Sequence, residues 1–599
     1  MNTPFKFLYY YLDKEPTSSN FANLLVTRAL VEARWDERVF ELLMRVIQKH
    51  GATAACLYKI EKDDDFRNAR SVKTLLANHK GSINAFATEI GDLQTVRDGL
   101  NNGGKQHIAI VVLDMSPPTA STPQPVTDTE DTITHLEADL HCFIQEIRTK
   151  NYSQRAKSKE YNTLQGSDSA ICDGRSAKDK PATAAPPVEL YHPVFSKFQK
   201  RAYDETASIP DETLRLTARL MRVVSVISVY ETPRDHETRK ILADLLNVLL
   251  VHGPNEDSTS FDSISPVLTP LKCNALALGA QVQSEMGEGG SDASVQAGFS
   301  FTRYWTSNAQ SSMLDQSCCP SFLIGIAGPW LVIEGAVLTS RTIVQRLTPY
   351  IWLGCSRVLE DAQVYDIARK LYALKLGVKE LAEYYHKFIV PNHVPGFIHP
   401  RFCPHITSFS RSSDNHKVDF VYVRPLEAEM GCVTFEAKLS TQEQHVVVKF
   451  VRQYGYMAHA YMAERRLAPD LIHFGLVGEG YGNLVMVVME LVEGRTLAEA
   501  YDVKAPLPPD ILNNVREALK VLNSASYVHG DLRRQNIMLL DNRQNDDDTG
   551  IRIIDFDWVG EKGEVRYPPH TSSVVLGVAG AQEYDKIQQE HQDKLFEVL

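Results

Sequence analysis

The sequence predicts a multidomain chain of α+β character, on three observations. Its 599 residues exceed what one hydrophobic core organises, so about three to five folded units are expected. Apolar runs of helical and of strand period alternate along the chain instead of segregating. Stretches rich in Pro, Thr, Ser and Lys interrupt them, at Ser116–Pro125 and Asn151–Pro187. Hydrophobic content of 43% and charged content of 23% are ordinary for globular protein, and the net charge of -12 excludes a generally basic, nucleic-acid-coating surface. The nine cysteines are scattered without a Cys-x-x-Cys pair. Neither a zinc site nor a disulfide framework is expected, and a reducing interior is the natural setting.

Residues 1–114 read as a small α+β module: a helix over Trp35–His50 behind Asp36 and Glu37, a strand over Ala54–Ile60, a helix around Leu93–Leu100 and a β run His107–Leu113. The opening Met1–Leu12 is short and aromatic, with Asp13 and Glu15 after it and no small-residue cleavage site. No conventional signal peptide is expected. Residues 115–187 read as linker with one helix, Thr132–Lys150, because few large apolar groups follow it to offset the entropy of ordering. Residues 188–355 read as an α/β domain. Its elements are a helix from Thr232 to Leu250 with Pro233 in the first turn, a buried strand Ala275–Gln283, the loop Ser284–Asp292, a helix Val295–Trp305 and the strands of Phe322–Val337. Phe322–Ile333 is the longest apolar stretch, but Gly325, Gly328 and Pro329 break it well short of the roughly 20 residues of a membrane helix, so no membrane partner is expected. Residues 356–404 read as a bridging helix pair that ends at Pro391, Pro395 and Pro400.

Residues 405–599 carry the chemistry. His529-Gly-Asp-Leu-Arg-Arg-Gln-Asn536 places Asn536 five residues after Asp531, so one loop can hold a base and a metal ligand. The runs Ile537–Leu540 and Ile551–Ile554, separated by the acidic turn Asp541–Gly550, read as a hairpin with Asn536 at one end and Asp555 at the other. Arg533 adds a cation two residues after Asp531. Upstream, Val446-Val-Val-Lys-Phe450 puts Lys449 inside a β run, which is costly unless its ammonium has a partner. Phosphoryl transfer requires those parts in that order: a Lys on the phosphates, a carboxylate on the acceptor hydroxyl, and an amide and a carboxylate on Mg²⁺.

These motifs, with the hinge-like run Leu484–Gly494 that contains Glu490 and Val492, resemble the protein-kinase-like superfamily over about residues 405–599. The resemblance implies a two-lobed fold, ATP and Mg²⁺ (or Mn²⁺) as cofactors, catalytic Asp531, Arg533 and Lys449, metal ligands Asn536 and Asp555, and a nucleotide site at Lys449, Glu490, Val492 and Gly431. His529 and Asp557 would support it. The departures are a single Gly431 where a glycine-rich loop belongs, Met457 where the helix Glu that pairs with the Lys belongs, and Asp555-Phe-Asp557 for Asp-Phe-Gly. Glu464, seven residues beyond Met457 on the same helical face, is the candidate substitute. The short remainder after Asp557 implies constitutive activity, not a switched activation loop.

Asp555-Phe-Asp-Trp-Val-Gly560 with Tyr567-Pro568 is similar to the kinase-like domains of fungal crinkler-type proteins. His107–Leu113 followed by Pro117-Pro118 resembles the ubiquitin-like header of that class, and Gln281 to Ala297 its restriction-endonuclease-like domain. In the latter fold two carboxylates hold Mg²⁺ while a Lys orients water. Gln281-Val-Gln283 stands at the Glu-x-Lys position, so a degenerate, non-cleaving unit is implied, with Glu285, Glu288 and Asp292 more plausibly a solvated turn than a relocated metal site. The expected function is Ser/Thr-directed protein phosphotransfer in a crinkler-type effector or conflict protein. An ATP-binding pseudokinase is the alternative, and a nuclease-like protein ranks third. The expected setting is intracellular, in cytoplasm or nucleus, with export into a host cell as a further route. Nucleic acid is not the favoured partner, and the sequence fixes neither the protein substrate nor the oligomeric state.

Overall fold

The computed structural model describes five strands between residues 5 and 114, and then residues 129–599 except 150–155, 168, 178–185, 228–230, 255–259, 288–289, 356, 359, 394–395, 412–415, 428–432, 441–442, 503–504, 542–548 and 570. Two compact units result, Met1–Pro125 and Val126–Leu599. In the first, β1 (Phe5–Leu12), β2 (Val26–Ala33), β3 (Ala54–Ile60), β4 (Ala87–Ile90) and β5 (Ala109–Asp114) form one sheet in the order β2-β1-β5-β3-β4. β1 and β2 pair antiparallel, whereas β1 and β5 run parallel at the centre. Parallel neighbours require a crossover, which the intervening chain supplies. The helices expected at Trp35–His50 and Leu93–Leu100 lie outside the described residues.

The second unit begins with α1 (Thr129–Thr149), whose Leu140, Phe143, Ile144 and Ile147 form one buried stripe at helical spacing. The following stretch departs from the linker expected there. α2 (Ser158–Gln165) buries Tyr161 and Leu164, and Ile171 and Cys172 are buried after it, with Cys172 bridging to Ile343. Few apolar residues suffice because Gln165 satisfies the backbone beside them: its amide donates to Ile171 O (3.0 Å) while its carbonyl accepts from Ile171 N (2.9 Å).

Three helices follow, α3 (Pro193–Ala202), α4 (Asp211–Val224) and α5 (Glu231–Leu246). Then comes a seven-stranded sheet: β6 (Val251–Pro254), β7 (Ser260–Leu268), β8 (Asn274–Gln283), β9 (Ser321–Ala327), β10 (Trp330–Leu338), β11 (Thr342–Arg346) and β12 (Ile351–Trp352). The order is β11-β10-β9-β8-β7-β6, with β12 on β10. β6, β7 and β8 form an antiparallel meander, and α6 (Ala293–Trp305) carries the chain from β8 to the parallel β9. β8 and β9 read as near-continuous apolar runs because they are covered on both faces.

The expected bridging pair is instead one 27-residue helix, α7 (Glu360–His386). It is part of the core: Ile367, Leu371, Leu374, Val378, Leu381 and Tyr385 are buried, and Gly377 admits the Phe322 ring so closely that a Cβ there would lie 2.8 Å from it. No helix among the described residues is long and apolar enough to cross a membrane.

A six-stranded antiparallel sheet comes next: β13 (Ser408–Ser410), β14 (Lys417–Pro425), β15 (Thr434–Leu439), β16 (His445–Val451), β17 (Leu471–Leu476) and β18 (Val485–Glu490), ordered β13-β14-β15-β16-β18-β17. It curls until the Phe409 and His473 rings, from its two edge strands, lie 4.9 Å apart. One face, with Phe435, Val446, Val448, Phe450, Met486 and Val488, joins a single apolar core that runs back to Leu140. The boundary expected between 188–355 and 405–599 is therefore no break in packing.

The opposite face carries Val447, Lys449, Val451, Val485, Val487 and Met489. Against it lie α8 (Tyr456–Ala463) and a lobe with its own core, built from β19 (Gly494–Thr496), α9 (Pro509–Ser524), β20 (Tyr527–His529), β21 (Ile537–Leu540), β22 (Ile551–Ile553), β23 (Val559–Glu561), α10 (Ser573–Ala579) and α11 (Gln589–Glu597).

Candidate functional site

The site forms where the Lys449 face of the curled sheet meets the β20–β22 loops. β21 and β22 pair antiparallel with Ile537 opposite Ile553, and Ile554 N–H donates to Asn536 O (2.9 Å). That hairpin holds Asn536 and the residue before Asp555 at one end. Asn536 is buried, and its amide donates to Asp531 O (2.8 Å) and Asp531 Oδ2 (2.9 Å). Both amide protons are thereby spent on Asp531, which leaves Asn536 Oδ1 as an acceptor.

Asp531 is 4% exposed. Arg533 reaches its Oδ2 at 3.1 Å, while its Oδ1 is buried with no hydrogen-bond partner. Burial raises the Asp531 carboxyl above the usual carboxylate range, with Arg533 opposing. His529 fixes the loop from beneath. Its Nδ1 accepts Asp531 N–H (3.2 Å), so the ring proton belongs on Nε2, which faces Ile554 O at 3.4 Å. Burial lowers His529 to about 4 and keeps it neutral.

Asp555 follows β22 in the left-handed region (φ 63°) and starts the turn Phe556–Trp558. Aspartate tolerates that conformation better than most residues, but such a backbone persists only where its surroundings hold it. Here the restraint is Lys449, whose Nζ lies 2.7 Å from Asp555 and 2.9 Å from Asp557. Burial alone would drive the ammonium toward neutrality, yet the two carboxylates raise its pKa instead. Lys449 correspondingly holds Asp555 down against burial, while burial and the Asp555 charge push Asp557 up.

One expectation about this region requires correction. Glu464 does not pair with Lys449: α8 ends at Ala463, and the Glu464 side chain is 76% exposed with Arg465 3.6 Å away. Glu490 lies opposite Val446, on the sheet face away from Lys449, so only its backbone is left for a nucleotide site. Its N–H donates to Asp470 O (2.9 Å) and its carboxylate accepts Asp470 N–H (3.1 Å), which ties β18 to the start of β17. Val492 is half-buried in the link from β18 to β19. Gly431 lies outside the described residues. His459, which sequence reasoning passed over, stacks on Phe556 at 4.5 Å, 12° from parallel. A polar ring buried among apolar helix neighbours was the available signal.

The second candidate centre lies at the end of β8. Gln281 Nε2 donates to Asp262 Oδ2 on β7 (2.8 Å), which also accepts Val282 N–H (2.7 Å). Gln283 Nε2 donates to Ser291 O (3.4 Å). Asp292 is committed as the N-cap of α6, accepting Ser294 N–H (2.8 Å), and Glu285 lies 3.8 Å from Arg234. Glu288 lies outside the described residues. No cluster of three or more His, Cys, Asp or Glu suited to a metal ion occurs among the described residues.

For a hard divalent cation the first centre offers oxygen donors on Asp555 and Asn536 Oδ1, of the kind that Mg²⁺ takes. No family model matches the chain. Among solved structures it is similar to the kinase PK-1 of Cydia pomonella granulovirus, at 13% identity over 30% of this chain and 65% of that one, with a TM-score of 0.22. It is also similar to vaccinia related kinase 3, at 13% identity over 35% and 68%, with a TM-score of 0.25. The chain thus spans just under two thirds of the granulovirus kinase, and at these TM-scores the reading of the site rests on its own residues.

Proposed function

We propose that residues 405–599 form a kinase-like, ATP- and Mg²⁺-dependent phosphotransferase, with a Ser or Thr hydroxyl of a protein as acceptor. The observation that carries this is the buried, unpartnered Oδ1 of Asp531, beside an Asn536 whose amide protons are spent and whose carbonyl oxygen is left as an acceptor. A buried acceptor without a partner costs about 1–3 kcal/mol, which a purely structural loop has no reason to retain. In the reaction Asp531 Oδ1 accepts the hydroxyl proton, the hydroxyl oxygen bonds to the γ-phosphorus, and the bond to the β-phosphate oxygen breaks with its electrons leaving on ADP. Lys449 and Arg533 carry positive charge to the phosphates. Asn536 and Asp555 would hold Mg²⁺, which when bound neutralises phosphate charge.

The other units are read by topology. The β2-β1-β5-β3-β4 order with a parallel β1–β5 centre supports a ubiquitin-like header, and α5, the β6–β8 meander, α6 and the parallel β9 support a restriction-endonuclease-like core. Together they support the crinkler-type assignment and an effector or conflict role inside cells. A second reading, an ATP-binding pseudokinase, is favoured by the ion pairs that already occupy Lys449 and Asp555.

The test is transfer of labelled γ-phosphate from ATP to the protein itself and to a generic protein substrate, run beside Asp531→Asn. Transfer that vanishes in the variant is expected. Equal silence of both proteins, with ATP still bound, would establish the pseudokinase instead.

A further inference from the structure

We infer that Asp557 is the carboxylate that positions Lys449, in the role that an acid on the adjoining helix would otherwise take. The inference rests on the phosphotransfer reading for its consequence but on geometry for its substance. Helix α8 is Tyr-Met-Ala-His-Ala-Tyr-Met-Ala from Tyr456 to Ala463 and contains no acid, and Glu464 points to solvent. Asp557 Oδ1 is ion-paired with Lys449 Nζ at 2.9 Å without a hydrogen bond, and Asp555 accepts a hydrogen bond from the same Nζ at 2.7 Å.

The turn that presents Asp557 is held independently of the ion pairs. Phe556, between the two aspartates, stacks on His459, and its carbonyl accepts Gly455 N–H (2.8 Å) at the start of α8. His459 Nε2 must carry its proton to reach Pro469 O (2.8 Å), so Nδ1 accepts the Tyr454 hydroxyl proton (2.7 Å). Helix α8 therefore grips the aspartate turn through an aromatic stack and leaves Lys449 to the turn itself.

The chemical consequence concerns how a buried ammonium survives the binding of a metal. When Asp555 turns to a divalent cation, a Lys449 with that carboxylate as its one anchor would be left buried and undirected. With Asp557 in place it keeps a counter-ion and its aim. Asp557 is thus a positioning residue, and it lets the site pass from the paired state to the nucleotide-bound state without freeing Lys449.

The test has two arms on the full chain. In the first, double-mutant cycles join Lys449→Met to Asp557→Asn and to Asp555→Asn in equilibrium unfolding without metal or nucleotide. A coupling between Lys449 and Asp557 of about 10-fold or more in the unfolding constant is expected. Coupling under about 2-fold, with the Asp555 cycle intact, overturns the inference. The second arm measures ADP affinity by calorimetry in Mg²⁺ and in EDTA. Asp557→Asn is expected to lose about 10-fold of the tightening Mg²⁺ gives the wild type, and Asp557→Glu to keep it within about 3-fold. Unchanged tightening in Asp557→Asn overturns the positioning role even if the cycle shows coupling. A wild type that binds no ADP defeats the phosphotransfer reading, while the cycle still decides the Lys449–Asp557 pairing.

Discussion

Asp555 and Gln281 both stand at strand ends where this chain gathers polar side chains, and the two centres have opposite electrostatics. Around Asp555 the charges are kept: one ammonium, two carboxylates against it and a third at Asp531. Around Gln281 they are gone, and a neutral amide is bonded to the Asp262 carboxylate. Removing an ion from water costs several kcal/mol even after relaxation, whereas a neutral amide costs less to bury even where, as at Gln281, its Oε1 has no hydrogen-bond partner. The β7–β8 end therefore carries little electrostatic cost, whereas the three charges around Lys449, with the unpartnered Asp531 Oδ1 beside them, carry more. What separates the two centres is the electrostatic cost that each carries.

The change expected to break that comparison most sharply is Asp531→Asn. It removes the proton acceptor and leaves the volume, so phosphate transfer should fall by about 10²–10⁴-fold while circular dichroism and the melting temperature stay near wild type. A loss smaller than about 10-fold would place the charged centre beside the amide centre, as residue rather than machinery.

Next in size is Lys449→Met. It leaves the half-buried Asp555 and Asp557 facing each other without their cation, so a loss of about 1–2 kcal/mol is expected in denaturant unfolding. Replacing Asp555 and Asp557 by Asn in the same variant should recover much of it, because no unpaired charge then remains. Failure to recover would mean that packing of the long side chain, and not its charge, maintains the site.

How much of this was legible in the sequence follows from the same physics. The hairpin from Ile537 to Ile554 and the order Lys449, Asp531, Asn536, Asp555 depend on local spacing, and the structure brings those four residues together. The partner of Lys449 was not legible, because it is chosen across more than a hundred residues: periodicity along α8 pointed to Glu464, while the turn at Phe556 delivered Asp557. Composition misled between Ala156 and Ala177, where Tyr161, Leu164, Ile171, Cys172 and the glutamine Gln165 order a stretch that reads as linker. It misled again at α7, since a helix that packs on a sheet has the same spacing as one that bridges domains. That the curled sheet shares its core with the preceding domain is likewise invisible, as an apolar face does not state what covers it.

Acid offers a finer test of the difference, since the charged centre rests on two buried neutral histidines, His459 and His529, each lowered by burial to about 4. Each takes up a proton on unfolding between its ordinary value of 6.5 and 4. The unfolded chain binds more protons in that window, so stability rises with pH across it and is lost as pH falls from 6.5 towards 4. Asp555 acts lower still: its depressed carboxyl contributes stability above 3.8 that disappears towards about 2. His459→Gln should flatten the slope between pH 4.5 and 6 by up to one proton, about 1.4 kcal/mol per pH unit, in urea midpoints measured across the range. An unchanged slope would mean that burial does not lower His459 in the folded protein.

The smallest expected effect belongs to the other side of the comparison. Gln281→Glu would place a second carboxylate within hydrogen-bonding distance of Asp262, where the amide now donates at 2.8 Å. Two like charges facing across half-buried strands should cost about 1 kcal/mol, read as a lower melting temperature in EDTA. A divalent cation is the natural remedy for two facing carboxylates, so millimolar Mg²⁺ should restore part of the loss in the variant and leave the wild type unmoved. Nucleic-acid cleavage should not appear, because Gln283 supplies no ammonium to orient water. Metal binding without cleavage would show that two carboxylates at this strand end suffice to hold a divalent cation. Stability indifferent to both the substitution and Mg²⁺ would show instead that the β7–β8 end has relaxed away from any metal-holding arrangement, and the contrast with the Lys449 centre would then be one of shape as well as charge.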